Sequence, residues 1–179
     1  MTAPASDHRF AANDERFNRK PFLETFRALN ACVREFTRLS DELVQGVAAL
    51  HTGGLTEKPV VRRSPGRCIV QLGPVAVTVA WLHRYLGPLE DGELLVVVWR
   101  GAVAPRGKHA PQVEPPLRGP DTPIVLWEQT LAPVATSEAT WRWESPRADV
   151  AGYSSTELAA HCVERLRGAY TEHAGRRDS

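Results

Sequence analysis

Side chains able to do chemistry are spread thinly along this 179-residue chain, and their spacing forms no recognisable catalytic or metal-binding pattern. The histidines, His8, His51, His83, His109, His161 and His173, fall in no HExxH, HxH or Cys–His cluster, so no metal set can be read from them. His161 and Cys162 are neighbours on an expected helix and point in different directions, which makes His161 a helix-surface residue. Ser64 has no GxSxG elbow and no acid–base partner close in sequence. Cys68 and His83 would meet as a thiol–imidazole dyad only if the first two strands pair. Glu90 and Asp91 sit in GPLEDG, where solvated turn chemistry is the simpler reading. There is no GxxxxGK[ST] and no GxGxxG, hence no phosphate cradle, and no cofactor is expected. Arg62, Arg63 and Arg67 form a local basic patch that would accept a phosphate or an acidic partner, but a solvated linker is the better reading.

Binding offers more than catalysis. The chain has 5 tryptophans. Trp81 and Trp99 fall on one face of an expected hairpin, and Trp127 and the Trp141–Trp143 pair, alternating with Arg142, are able to join them. One reading makes this face core, because most buried aromatics simply pack. The other makes Trp81, Trp99, Trp127, Trp141, Trp143 and Arg142 a surface for a partner or a flat ligand.

The bulk composition excludes several classes. A formal net charge of +1 gives no global field toward nucleic acid or an anionic membrane. Three cysteines, Cys32, Cys68 and Cys162, are an odd number without a CxxC pair, which fits reduced, buried thiols. The N-terminal stretch carries acids and lacks the apolar segment of a secretory signal. VAVTVAWL and LLVVVW are far shorter than the roughly 20 residues a membrane span needs. These features predict a cytoplasmic protein.

The elements that must position these residues are legible in outline. Residues 1–13 are small and polar and predict a disordered N-terminus; 14–172 read as a single domain, and 173–179 as a frayed tail. Apolar residues at Phe22, Phe26, Leu29, Val33, Phe36, Leu43, Val47 and Leu50 make a heptad-like stripe and predict a helix. Pro21 suits its first turn, and Ser40-Asp41-Glu42 offers a point for a break. Unbroken, residues 22–50 would extend about 43 Å, against a domain diameter near ~40 Å. The excess stripe, Leu43, Val47 and Leu50, then needs cover from the C-terminal helix or from a second copy of the chain.

After a basic linker, EKPVVRRSPGR, the period becomes two. Strands are predicted at 68–72, 75–82, 93–99, 124–131 and 140–144, and short connections favour an antiparallel meander. Register about GPLEDG sets Trp81, Val79 and Val77 beside Leu95, Val97 and Trp99. The small Ala76, Thr78 and Ala80 then lie on the face that receives a helix. Ser154 and Glu157 form a capping box, opening a helix with Leu158, Cys162, Leu166 and Tyr170 on its apolar face.

Residues 103–123 carry six prolines between two strands. A loop of this length calls for a reason. The readings are a tolerated mobile extension, a docking segment (Pro120 to Pro123 matches PxxP) or a lid. The expected fold is α+β: a long N-terminal helix, a five-stranded mostly antiparallel sheet with a proline-rich loop, and a C-terminal helix on the sheet. The expected function is a non-catalytic protein-interaction or adaptor module, with a protein or a second copy as partner. The alternatives are a small-ligand sensor with a Trp-lined pocket between sheet and helix, and an enzyme whose site is assembled from dispersed residues.

Overall fold

The computed structural model describes residues 17–55, 57–83, 87–103, 122–146 and 152–174. The disordered N-terminus expected at 1–13, most of the proline-rich loop and most of the expected tail lie outside them. The elements run α1 (Arg19–Leu23), α2 (Phe26–Thr52), β1 (Val60–Ser64), β2 (Arg67–Leu72), β3 (Val75–Leu82), β4 (Glu93–Arg100), β5 (Ile124–Ala135), β6 (Trp141–Glu144) and α3 (Ser155–Ala174). The fold is α+β, with an antiparallel sheet in the meander order β1-β2-β3-β4-β5-β6.

The sixth strand is β1, inside the stretch read as a basic linker. Val60–Ser64 pairs with β2 through the Pro65-Gly66 turn, where Gly66 takes φ +70°, a conformation glycine adopts without strain. Exposed Arg62, Arg63 and Ser64 concealed the strand, because an edge strand shows little alternation. β5 also runs past its expected end at Leu131 to Ala135, with Pro133 opposite Trp143. The pair Thr136/Thr140 is hydrogen bonded, N–H to C=O at 2.9 Å. Alternation then makes Pro133/Trp143 a non-bonded pair, so the missing proline N–H costs the β6 ladder nothing.

The long helix breaks at Glu24-Thr25 and not at Ser40. Thr25 is the N-cap of α2, its Oγ1 accepting the Ala28 N–H at 3.2 Å. Ser40 stays mid-helix and buried, because Phe36, Leu39, Leu43 and Val47 continue a buried stripe through it, and packing overrides a local capping option. Before Phe36 the stripe is displaced from the expected one: Phe26 is 84% exposed and Val33 also faces out, while Ala28, Ala31 and Cys32 face in. The heptad reading followed the large residues; the small ones are those that let the helix approach.

Both long helices lie on one face of the sheet, sharing a core with Val70, Val77, Val79, Val96 and Leu131. They also pack on each other. At Gly46 a Cβ would stand 2.7 Å from Val163 Cγ2, so any larger residue there would have to displace the Val163 side chain of α3. Leu43 and Val47 are fully buried in this core and Leu50 is half-buried. The α3 helix, and not a second copy, supplies the cover that Leu43 and Val47 needed. The capping box forms as expected: Glu157 N–H donates to Ser154 Oγ at 3.2 Å and Ser154 N–H to Glu157 Oε2 at 2.7 Å.

The β3–β4 register differs by one from the expected one. Val79 pairs with Val96 and Ala80 with Leu95. A one-residue slip exchanges faces. The helices therefore cover the Val75-Val77-Val79 side, and the small residues Ala76, Thr78 and Ala80 lie on the other, where no helix packs among the described residues.

Candidate functional site

The expected tryptophan face does not exist as one surface. Trp81 and Trp99 stand on opposite faces of the sheet. Trp99 is alone on the helix-free side, its indole N–H donating to Thr78 Oγ1 at 3.1 Å. Trp141 and Trp143 are buried under the helices, where Trp143 meets Trp81 edge-on at 5.8 Å and Trp141 lies 6.1 Å from Phe22. Trp143 donates to Ser155 Oγ at 3.1 Å, and Ser155 donates onward to Glu35, tying β6, α3 and α2 together. Arg142 is occupied too, donating to the Gly152 carbonyl and lying 3.7 Å from Glu157. Of the candidate binding set, Trp81 and Trp127 each line an open cavity, and Trp127 is the one that meets a cation there.

The Trp127 cleft lies between β5 and α3, with a volume of about 560 Å³. Trp127 and Gln129 enter it from the helix-facing side of β5, because they pair with the helix-facing Val98 and Val96. The α3 helix contributes His161 and Arg165, one turn apart, and Tyr153 closes one end. The His161 ring is edge-on to Trp127 at 5.6 Å and stacked on Tyr153 at 5.4 Å. The Arg165 guanidinium sits 5.0 Å from the centre of the Trp127 ring, a cation–π contact. Burial, and then the charge of Arg165, hold the His161 imidazolium below its ordinary pKa. The sequence predicts His161 as a helix-surface residue; periodicity gives the helix but not which strand its polar flank meets.

The outer boundary of the cleft is a strand edge. β5 bonds to β4 through Ile124–Leu131 and to β6 through Ala132–Ala135 alone. Among the described residues, nothing pairs with the outer edge of residues 124–131. Ile124, Val125 and Leu126 are 48%, 44% and 37% exposed there. A bulge at Leu126, set between the Val98–Trp127 and Trp99–Val125 pairs, turns Val125 to the helix-free face beside Trp99.

The remaining candidates for chemistry stay apart. Cys68 does not meet His83: its strand partners are Arg63 and Val79, and its thiol pKa is raised by burial, opposed by Arg63. His83 stacks on Trp81 at 5.8 Å instead. Of the basic patch, Arg63 pairs with Asp41 at 2.5 Å and donates to the Ser40 carbonyl. Burial pushes the Cys32 and Cys162 thiols up to about 12. A larger cavity, about 740 Å³, lies beside Trp81, His83, Asp91 and Glu93, but it has no comparable convergence of rings and cation. Among the described residues no three His, Cys, Asp or Glu side chains gather as a metal-holding group, and no helix is long and apolar enough to cross a membrane. No known family, curated protein or solved structure matches this chain.

Proposed function

We propose that this protein is a non-catalytic interaction module that docks a partner protein along the outer edge of β5. The observation that carries the reading is the edge of residues 124–131, which no described residue pairs, with its exposed Ile124-Val125-Leu126 run. Natural sheets shield such edges with charged residues, proline, bulges or a covering element; residues 124–131 hold neither lysine nor proline, and Glu128 and the Leu126 bulge are the shields they carry. The test is photo-crosslinking in cells from a reactive residue at position 126, with position 33 on the exposed side of α2 as control. A defined protein captured from 126 and not from 33 is expected. Identical adduct patterns at both positions would overturn the reading.

A small-ligand sensor is the second reading, supported by the cleft where Trp127, Tyr153, His161 and Arg165 converge. Aromatic walls with the Arg165 cation and the Glu128 carboxylate in the lining suit a planar polar ligand. Native mass spectrometry of the purified protein, followed by tryptophan fluorescence with any co-purified compound, separates this from the docking reading.

A further inference from the structure

Resting on the interaction reading, we infer that the occupant of the β5 edge is an extended segment of a partner protein. It adds to the sheet as a further strand and sets a carboxylate against Arg165. The backbone phase of the edge follows from fixed points at both ends of the sheet. Gly101 N–H donates to the Pro74 carbonyl at 2.7 Å, so in an antiparallel ladder Ala76, Thr78 and Ala80 bond to β4. Carried across the register, Val98, Val96 and Leu94 bond to Trp127, Gln129 and Leu131. The far end agrees, since the bonded Thr136/Thr140 pair directs Val134 and Ala132 outward, toward β6. Glu128 and Thr130 share that direction. They present N–H and C=O groups along the open edge, the template that strand addition uses.

A second copy fits this edge poorly. Two-fold antiparallel pairing centred on Glu128 sets that carboxylate opposite its own copy, which is unfavourable. Centred on Gln129, the ladder is confined to residues 127–131, because β6 of each copy already occupies the edge from Ala132 onward. A single extended segment meets no such obstacle.

The cleft then specifies chemistry. Trp127 bonds inward to β4, so an added strand faces it in a non-hydrogen-bonded pair, the closer of the two side-chain spacings. The facing residue points to the helix side, onto the Trp127 ring and Arg165. Arg27, Arg38, Arg63, Arg142 and Arg167 each have a carboxylate within 4.0 Å. Arg165, like Arg19, Arg34, Arg67 and Arg100, has no carboxylate within 4.0 Å among the described residues, and its guanidinium lies over the Trp127 ring beside the cleft. An aspartate or glutamate at that position of the segment completes the pair.

The test selects binders of the full chain from a phage-displayed library of random decapeptides, then synthesises them. Binders with an acidic residue at a fixed position are expected, and they should slow hydrogen exchange at the Glu128 and Thr130 amides. Arg165→Glu, an exposed substitution whose folding a melting curve checks, should weaken them at least roughly tenfold. N-methylation of the edge-facing peptide amides should abolish binding. Binders indifferent to Arg165→Glu that leave both amides exchanging freely overturn the inference, as does a library yielding none. Binders mapping to another face would overturn the strand-addition mode while sparing the interaction reading, which fails separately if crosslinking finds no partner.

Discussion

The side-chain carbonyl of Gln71 accepts the backbone N–H of Val103 at 2.9 Å, where the chain leaves β4 for the proline-rich stretch. Its amide nitrogen contacts the carbonyls of Gly73, Val75 and Gly101 at 2.8, 3.0 and 3.1 Å. One buried side chain therefore clamps the β2–β3 turn to the end of β4. Gln71→Leu keeps the size but leaves these groups without that partner. It should cost about 2–3 kcal/mol in urea unfolding; a loss under about 1 kcal/mol would show that water replaces the amide.

The tryptophans should separate by face. Trp143 is 2% exposed and bonded to Ser155, so Trp143→Ala should lose roughly 3–5 kcal/mol. Trp99 is half-buried on the helix-free side, and Trp99→Ala should lose clearly less. Equal losses, measured by the same chemical denaturation, would contradict the assignment of faces.

The capping box makes a pH-dependent prediction. The Ser154 backbone N–H, then its hydroxyl, holds the Glu157 carboxyl below its ordinary value of 4.5. A depressed folded pKa contributes stability above the unfolded value, and that contribution is lost as pH falls through the folded one. The stability difference between wild type and Glu157→Gln should be flat above about pH 5.5 and shrink below pH 4.5. Ser154→Ala should cost about 1 kcal/mol at neutral pH.

His161 should titrate below its ordinary value of 6.5, first because it is buried and second because Arg165 is near. With the folded pKa lowered, the unfolded chain binds more protons, so this group destabilises the fold as pH drops from about 6.5 toward the folded pKa. Arg165→Gln removes the lesser cause and should move the His161 pKa partway upward, read from the imidazole NMR resonances. No movement would place the guanidinium too far away to act, and with it the cation over Trp127.

By itself the sequence determined what depends on near neighbours. Period-two runs marked five of the six strands, and Ser154 to Glu157 marked the start of α3, because alternation and capping are written within a few residues. It also determined that the cysteines are buried without pairing in a disulfide pattern. Tertiary structure alone decided which face each strand turns to the helices. That choice rests on a one-residue register between β3 and β4 which the apolar run Leu94–Val98, reading the same on both faces, leaves open. It decided as well that Ala28 and Cys32 replace Phe26 and Val33 in the buried stripe of α2, since close packing selects by fit rather than by size. The cleft belongs to the same class. Trp127 on β5 and Arg165 on α3 are far apart in the chain, and their meeting depends on β6 covering only Ala132–Ala135, a length that no local pattern encodes.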